Sequence, residues 1–331
     1  MSGEGPRVFV AMPPGLREQF FSTEDREHLE SISSVSYYDD EGLSAEDLAT
    51  GLTGAEIAVT GWGTPQFDER VMAGAEALKL VAHTGGSVAT LVSERLFDAG
   101  VRVCSADRPM ARFVAELTLG HVLAAQRGIV RADRSMRTDG FDDPAPTRSL
   151  IDGTIGLVGL GTIGRYLLEM LRPFDVTVRL YDPYVPPVAV TEYSFVEKTS
   201  LERAMASSII SIHAARTPET RGMIGEPELA MIPDDGLLVN TARASITDRD
   251  ALYAELERGR IRAAIDVFHE EPLPADDPLR GLENVQLSAH MGGNGPHELF
   301  GRTVLEEIER FVTGGTLQHE IRREQAMRMT Q

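Results

Sequence analysis

Gly156-Leu-Val-Gly-Leu-Gly-Thr-Ile-Gly164 holds a G-x-G-x-x-G spacing at Gly159, Gly161 and Gly164. With 31 glycines in the chain such a match can arise by chance, so its surroundings decide. Residues 154–158, Thr-Ile-Gly-Leu-Val, read as a strand, and residues 163–172 read as a helix that stops at Pro173. The glycines therefore fall at a strand-to-helix turn. Bare backbone there can approach a pyrophosphate whose charge the helix N-terminus favours. Residues 176–182 then read as a second strand ending in an acid, Asp182. A carboxylate at that place accepts hydrogen bonds from ribose hydroxyls and repels a 2′-phosphate, which points to NAD rather than NADP. The competing reading has Asp182 merely opening a turn with Pro183.

On both sides of this turn the apolar pattern alternates strand and helix. Residues 7–12, 35–38, 55–60, 78–82 and 101–104 read as strands, and 17–29 and 90–99 as helices between them. That rhythm predicts a parallel sheet covered on both faces. A long helix is expected over 109–127, a surface loop over 138–146, and a second βα series from 153 to about 290. Residues 296–312 carry Phe300, Val304, Ile308 and Phe311 at helical spacing, with Gly314-Gly315 as a stop. This last helix is expected to return to the first unit. A chain of 331 residues exceeds what one core usually serves. The expectation is α/β with two doubly wound, Rossmann-like domains: residues 1–107 with 296–331, and residues 108–295.

Three polar side chains follow apolar runs in the second series: Arg243 after 236–240, Glu271 after 263–268 and His290 after 285–289. In an open parallel sheet the carboxyl ends of the strands share one edge, where ligands bind, so the three are expected to meet there. Hydride transfer to a keto carbon develops negative charge on oxygen. An imidazolium can quench that charge, a guanidinium can hold the neighbouring anion, and a carboxylate can orient the imidazole.

Composition narrows the partners. Acidic residues number 51 against 32 basic ones, a net charge of −19, which speaks against a nucleic-acid surface. The single cysteine, Cys104, allows no intrachain disulfide and no thiolate metal cluster, and it reads as a buried strand residue. No metal site is expected. No apolar run approaches a membrane span and no signal-peptide pattern opens the chain, so a cytoplasmic location is expected.

Taken together, the blocks resemble the D-isomer-specific 2-hydroxyacid dehydrogenases over nearly the whole chain. The resemblance rests on residues 156–164, on 211–224 around Thr217-Pro-Glu-Thr220, on Leu238-Val-Asn-Thr-Ala-Arg243, on Ile265-Asp-Val-Phe-His-Glu-Glu-Pro272 and on Ser288-Ala-His-Met-Gly-Gly293. It implies a flavodoxin-like substrate domain and an NAD-binding Rossmann domain with a cleft between them. It also implies Arg243 as the group holding the substrate carboxylate and 2-oxygen, Glu271 as the acid before Pro272, and His290 as the proton donor or acceptor. Glu270 competes for the acid role but lies one place too early, and His269 reads as a loop residue. By the same resemblance Thr162, Ile163, His213, Thr217, Thr241 and Asp266 touch NAD with the glycines, Asp266 near the nicotinamide end. Asp266 and Thr241 also stand where a strand-end polar group caps backbone amides. His28, His121 and His319 read as ordinary helical or terminal residues, while His83 suits either a substrate-lining or a packing role.

Several departures bear on the substrate. The family's substrate loop reads His83-Thr-Gly-Gly-Ser-Val-Ala-Thr90 here, without the usual aspartate, leaving the backbone at Gly85, Gly86 and Ser87 to bind an anion. Ala289, Ala244 and Ala215-Arg216 replace the usual proline, glycine and Pro-Leu. The resemblance predicts a homodimer paired largely through residues 109–127. It leaves two other activities open: an NAD-sensing binding protein like the C-terminal-binding-protein corepressors, and a phosphite- or formate-type dehydrogenase.

Overall fold

The structure, a computed structural model, describes residues 5–138 and 147–330. The loop expected at 138–146 thus lies outside the described residues, apart from Thr138 itself. The chain divides into two compact units, Met1–Ala111 with Asn294–Gln331, and Arg112–Gly293. The division runs through the long helix Asp107–Gln126. No helix among the described residues is long and apolar enough to cross a membrane.

The first unit is built on five parallel strands: β1 (Arg7–Ala11), β2 (Ser34–Tyr37), β3 (Ile57–Thr60), β4 (Leu80–His83) and β5 (Arg102–Ser105), in the order β2-β1-β3-β4-β5. Every residue of β3 and β4 is buried, as a parallel sheet with both faces covered requires. The helix expected over 17–29 is in fact two, Pro14–Phe20 and Thr23–Ile32. Ser22 separates them. Its backbone is extended, its hydroxyl accepts from Asp25 N at 3.1 Å, and the Asp25 carboxylate accepts from Ser22 N at 3.0 Å. This reciprocal cap starts a fresh helix inside an apolar pattern that reads as continuous. The helix expected at 90–99 shortens to Glu94–Asp98 for a similar reason, because Ser93 caps it and the Leu91 carbonyl is taken by Phe67 N.

The helix His297–Val312 does return to this unit, where Phe300, Val304 and Ile308 bury their side chains. One acid goes with them. Glu307 is 1% exposed, and its carboxylate accepts from Arg310 at 2.6 Å, Gln318 N at 3.1 Å and His319 N at 2.9 Å. A buried carboxylate needs such a set of donors to offset its desolvation.

Seven parallel strands make the second unit: β6 (Gly153–Val158), β7 (Val176–Tyr181), β8 (Val196–Lys198), β9 (Ile209–Ile212), β10 (Leu237–Asn240), β11 (Arg262–Ile265) and β12 (Val285–Leu287). Their order is β12-β11-β10-β9-β6-β7-β8, so the winding reverses beside β6. A reversal of this kind opens a crevice at the carboxyl ends of the strands. Register places Val158 opposite both Tyr181 and Ile212, Ile212 opposite Asn240, Asn240 opposite Ile265, and Ile265 opposite Leu287. The six strands end level with one another.

Candidate active site

Because these strands end in register, the residues one place further on form a row along the edge of the sheet: Asp182, Gly159, His213, Thr241, Asp266 and Ser288. Five of the six are residues that the sequence singles out. Ser288 is the addition.

Around β6 the row forms a cradle for an anion. Gly159 has φ +96°, and a Cβ there would stand 2.7 Å from Ala214 N, so only glycine fits both the turn and the approach of β9. Nothing lies within 4 Å of where a Gly161 side chain would be, whereas one on Gly164 would press on Gly159 O at 3.0 Å. The helix Thr162–Leu171 starts at Gly161 with no side-chain cap. Its first amides are therefore left for a ligand, and Thr162 and Ile163 occupy that first turn. The residues fit a dinucleotide pyrophosphate.

Asp182 accepts hydrogen bonds from its own turn. One oxygen accepts from Leu160 N at 2.8 Å, inside the glycine turn, and the other from Tyr184 N at 2.8 Å and Val185 N at 3.1 Å. Roughly four lone-pair sites are available on a carboxylate, so three are engaged and room for about one further donor remains. The turn reading of Asp182 holds, and the lone pair left over keeps the ribose reading open. His213 is buried with its Nε2 2.8 Å from Ser211 Oγ, and burial pushes its pKa down to about 4. Thr217 lies in a loop closed on itself, where Thr217 N donates to Thr220 Oγ1 at 2.9 Å and that hydroxyl donates to Ala215 O at 2.6 Å. Thr241 turns its hydroxyl to Thr118 on the long helix, 2.7 Å away, so its side chain ties helix to sheet.

Beyond β10, Asn240 shapes the next turn: its amide donates to Arg243 O at 3.0 Å and its carbonyl accepts from Ala242 N at 3.1 Å. Arg243 projects from there and donates to Ala242 O at 2.7 Å. Burial, then the charge of Arg216, pulls its pKa down while Glu271 opposes the change. A guanidinium stays charged regardless, and a desolvated one gains strongly from an arriving carboxylate.

Glu271 and His290 meet, with Nδ1 and Oε2 2.7 Å apart. The other Glu271 oxygen accepts from Phe268 N at 2.9 Å. Burial alone pushes the Glu271 carboxyl up, but the bonds from His290 and Phe268 and the charges of His290 and Arg243 leave it below its usual range. An ionised Glu271 only accepts, so Nδ1 carries a hydrogen and Nε2 is the position that releases or takes up a proton. The pair is partly open, with side chains 44% and 36% exposed, so a substrate can reach it. Glu270 and His269 are exposed on the same loop and make no part of this pair.

His290 also has φ +48°, a left-handed conformation that is costly for a side chain with a Cβ. Asp266 holds it there. The Asp266 carbonyl accepts from His290 N at 2.8 Å, and its carboxylate accepts from Met291 N and Gly292 N, each at 2.9 Å, and from Ser288 Oγ at 2.5 Å. Asp266 is 1% exposed, so its carboxylate serves the His290 loop directly. His121 completes the set, with Nε2 2.9 Å from Ser288 Oγ. Nothing in the sequence marks His121, which lies 167 residues from Ser288 on a helix of ordinary pattern.

In the first unit the loop after β4 carries Gly85, Gly86 and Ser87. His83 ends β4 buried, Nδ1 3.0 Å from Thr60 Oγ1, and burial pushes its pKa down to about 4, so it packs as a neutral ring. Its Nε2 and Trp62 Nε1 crowd Gly85, where a Cβ would stand 2.4 Å and 3.0 Å from them. The Ser87 hydroxyl donates to Thr330 O at 2.6 Å and accepts from Ala89 N at 3.3 Å, which leaves the loop's backbone rather than this side chain for an anion.

A switch-point sheet with a glycine turn, an uncapped helix start and a strand-end acid defines the second unit as a dinucleotide-binding domain. Residues 119–292 match the family described as "D-isomer specific 2-hydroxyacid dehydrogenase, NAD binding domain". The chain belongs to the D-isomer-specific 2-hydroxyacid dehydrogenase family. It is similar to the D-3-phosphoglycerate dehydrogenase of Methanocaldococcus jannaschii, 34% identical over 279 residues, which are 82% of this chain and 53% of that one. It is also similar to the hydroxypyruvate reductase of Thermotoga maritima, 30% identical over 276 residues, or 82% of this chain and 88% of that one. Among solved structures, a phosphoglycerate oxidoreductase from Rhizobium etli superposes with a TM-score of 0.80 at 29% identity, covering 96% of this chain and 99% of that one. The chain spans about half the length of the phosphoglycerate dehydrogenases it matches.

Proposed function

We propose that this protein is an NAD-dependent oxidoreductase that interconverts a 2-keto acid and a D-2-hydroxy acid. The observation that carries the reading is the Glu271–His290 pair, held 2.7 Å apart at the edge of a dinucleotide-binding sheet that also projects Arg243. Bound NAD supplies or accepts a hydride at the 2-carbon of the substrate. In the reducing direction His290 Nε2 gives its proton to the 2-oxygen as charge develops there, and in the oxidising direction it takes that proton back. Glu271 keeps the ring turned. Arg243 holds the substrate carboxylate and the 2-oxygen, and the backbone at Gly85, Gly86 and Ser87 serves as an anion-binding loop of the first unit.

Asp182 accepts from the ribose with its remaining lone pair and selects NAD over NADP. Thr162, Ile163, His213, Thr217, Thr241 and Asp266 border the nucleotide, and Thr241 and Asp266 also brace the edge of the sheet. A homodimer paired largely through residues 109–127 is part of the reading. Along Asp107–Gln126 the apolar Phe113, Leu117, Leu119 and Leu123 are only half-buried. The corepressor-like and phosphite- or formate-type readings draw no residue of their own from the described structure.

Purified protein with NADH and a panel of 2-keto acids, followed by loss of reduced-nicotinamide absorbance, tests the proposal. Turnover of at least one keto acid, yielding the D-product, is expected. Turnover of none, with phosphite or formate oxidised instead, would sink it.

A further inference from the structure

We propose that His121 is a positioning residue for His290, acting through Ser288 and Asp266 to fix the loop that carries the catalytic imidazole. The inference rests on His290 as the proton-transfer group of the proposed function and extends that role to a helix on which no catalytic group stands.

The direction of each hydrogen bond follows from the donor inventory. Both Asp266 oxygens already accept from backbone amides, and at the 2.5 Å contact Ser288 Oγ gives its single hydrogen to Asp266 Oδ1. Ser288 Oγ then has only lone pairs left to offer. The partner at 2.9 Å, His121 Nε2, must therefore donate, and the ring carries its hydrogen on Nε2. Burial lowers the His121 pKa although the Asp266 charge opposes it, so the neutral tautomer protonated on Nε2 satisfies this contact. The chain of bonds runs one way, from His121 N–H to Ser288 O–H to the Asp266 carboxylate.

That carboxylate then fixes the amides of Met291 and Gly292, while the Asp266 carbonyl takes the amide of His290. Three consecutive amides are thus held from one buried residue, around a histidine whose φ of +48° would relax if they were released. The loop also packs against the long helix, since a Cβ at Gly292 would stand 3.4 Å from Val114 Cγ1. A second tie joins Gln286 Nε2 to His121 O at 3.4 Å. The long helix therefore sets where the His290 loop sits. His121 aims the hydroxyl that completes the Asp266 shell.

The test uses the full chain, with amide hydrogen exchange across residues 288–292 measured beside steady-state kinetics. In His121→Leu the Met291 and Gly292 amides are expected to exchange faster by roughly threefold to tenfold, the worth of one hydrogen bond. Turnover falls by a similar factor, while the KM for the keto acid and NADH binding change less than about twofold. His121→Gln, which keeps a donor in place of Nε2, should restore both readouts. Ser288→Ala, which breaks the same path from the other side, should reproduce the acceleration even if His121→Leu fails to fold. Unchanged exchange in His121→Leu, or in Ser288→Ala, overturns the proposal. So does a Gln variant as impaired as the Leu variant, which would reduce His121 to packing. If wild type turned over no keto acid, the functional reading would fail, and the exchange data would still decide whether His121 orders the loop.

Discussion

Replacing Asp182 with alanine should weaken the fold and the cofactor together. The structure sets the size of each effect. Three backbone amides, Leu160, Tyr184 and Val185, lose their acceptor at once. Asp182 is only half-buried, so water replaces part of each bond, and about 0.7 kcal/mol apiece is a fair charge, or roughly 2 kcal/mol in all. For a unit of this size that corresponds to a fall of about 4–8 °C in Tm. The bond left for a ribose hydroxyl is charge-assisted and contributes about 1.5 kcal/mol, roughly a tenfold rise in the Kd for NADH. Loosening of the Leu160 turn adds to that, because the same turn carries the glycines that face the pyrophosphate. The test combines thermal unfolding with titration by NADH and by NADPH. A carboxylate that only recognised ribose would lose NADH, gain NADPH in step and leave Tm unmoved. The structure predicts a lower Tm and only a partial gain for NADPH. A Tm within about 1 °C of wild type would refute the structural share, since three lost bonds cannot leave so small a shift. Wild type that bound NADPH as tightly as NADH would refute the ribose share.

Other outcomes follow from the same geometry. His290→Ala should remove turnover while changing NADH binding by less than about twofold, because the proposed function gives the ring the proton-transfer step and no part in the nucleotide cradle; a variant that stayed active would take His290 out of the chemistry. Gly159→Ala should cost at least about 2 kcal/mol, because φ of +96° and a Cβ 2.7 Å from Ala214 N leave a side chain no room, and denaturant unfolding that matched wild type would contradict that. His213 and His83, each with a pKa pushed down from 6.5 to about 4, make stability depend on acid. Above pH 6.5 neither state binds the proton and these groups add no slope. As pH falls from there toward 4, only the unfolded chain binds it, so each unit loses about 1.4 kcal/mol per pH step from its histidine, roughly 3 kcal/mol in all. His213→Asn should flatten that part of the curve for the second unit, and an unaltered slope would show that His213 is not held neutral.

Much of the site was legible in the chain because parallel α/β folds convert sequence order into position. A polar residue just past an apolar run becomes a residue on the sheet edge, which is why Asp182 is legible without knowing which strands are neighbours, while His213, Thr241 and Asp266 on the same edge follow from the family resemblance. The strand-to-helix turn at Gly159 and the helix stop at Pro173 are local events, governed by backbone sterics, and they too could be read directly. Ser22 was missed because its cap interrupts a pattern whose apolar spacing runs on unbroken through it.

What the sequence alone could not contain was the partner of each polar group. Hydrogen bonds form between residues that folding brings together, and separation along the chain carries no information about them. Asp266, expected at the cofactor, also braces the His290 loop, Asp182 serves its own turn as well as facing the cradle, and Thr241 ties a helix to the sheet. His121 looked ordinary for the same reason: only when the long helix lies beside β12 does its N–H find Ser288. Residue types and strand order determined which chemistry this protein can host, whereas packing across the sheet decided which side chains are free for a ligand and which hold the others in place.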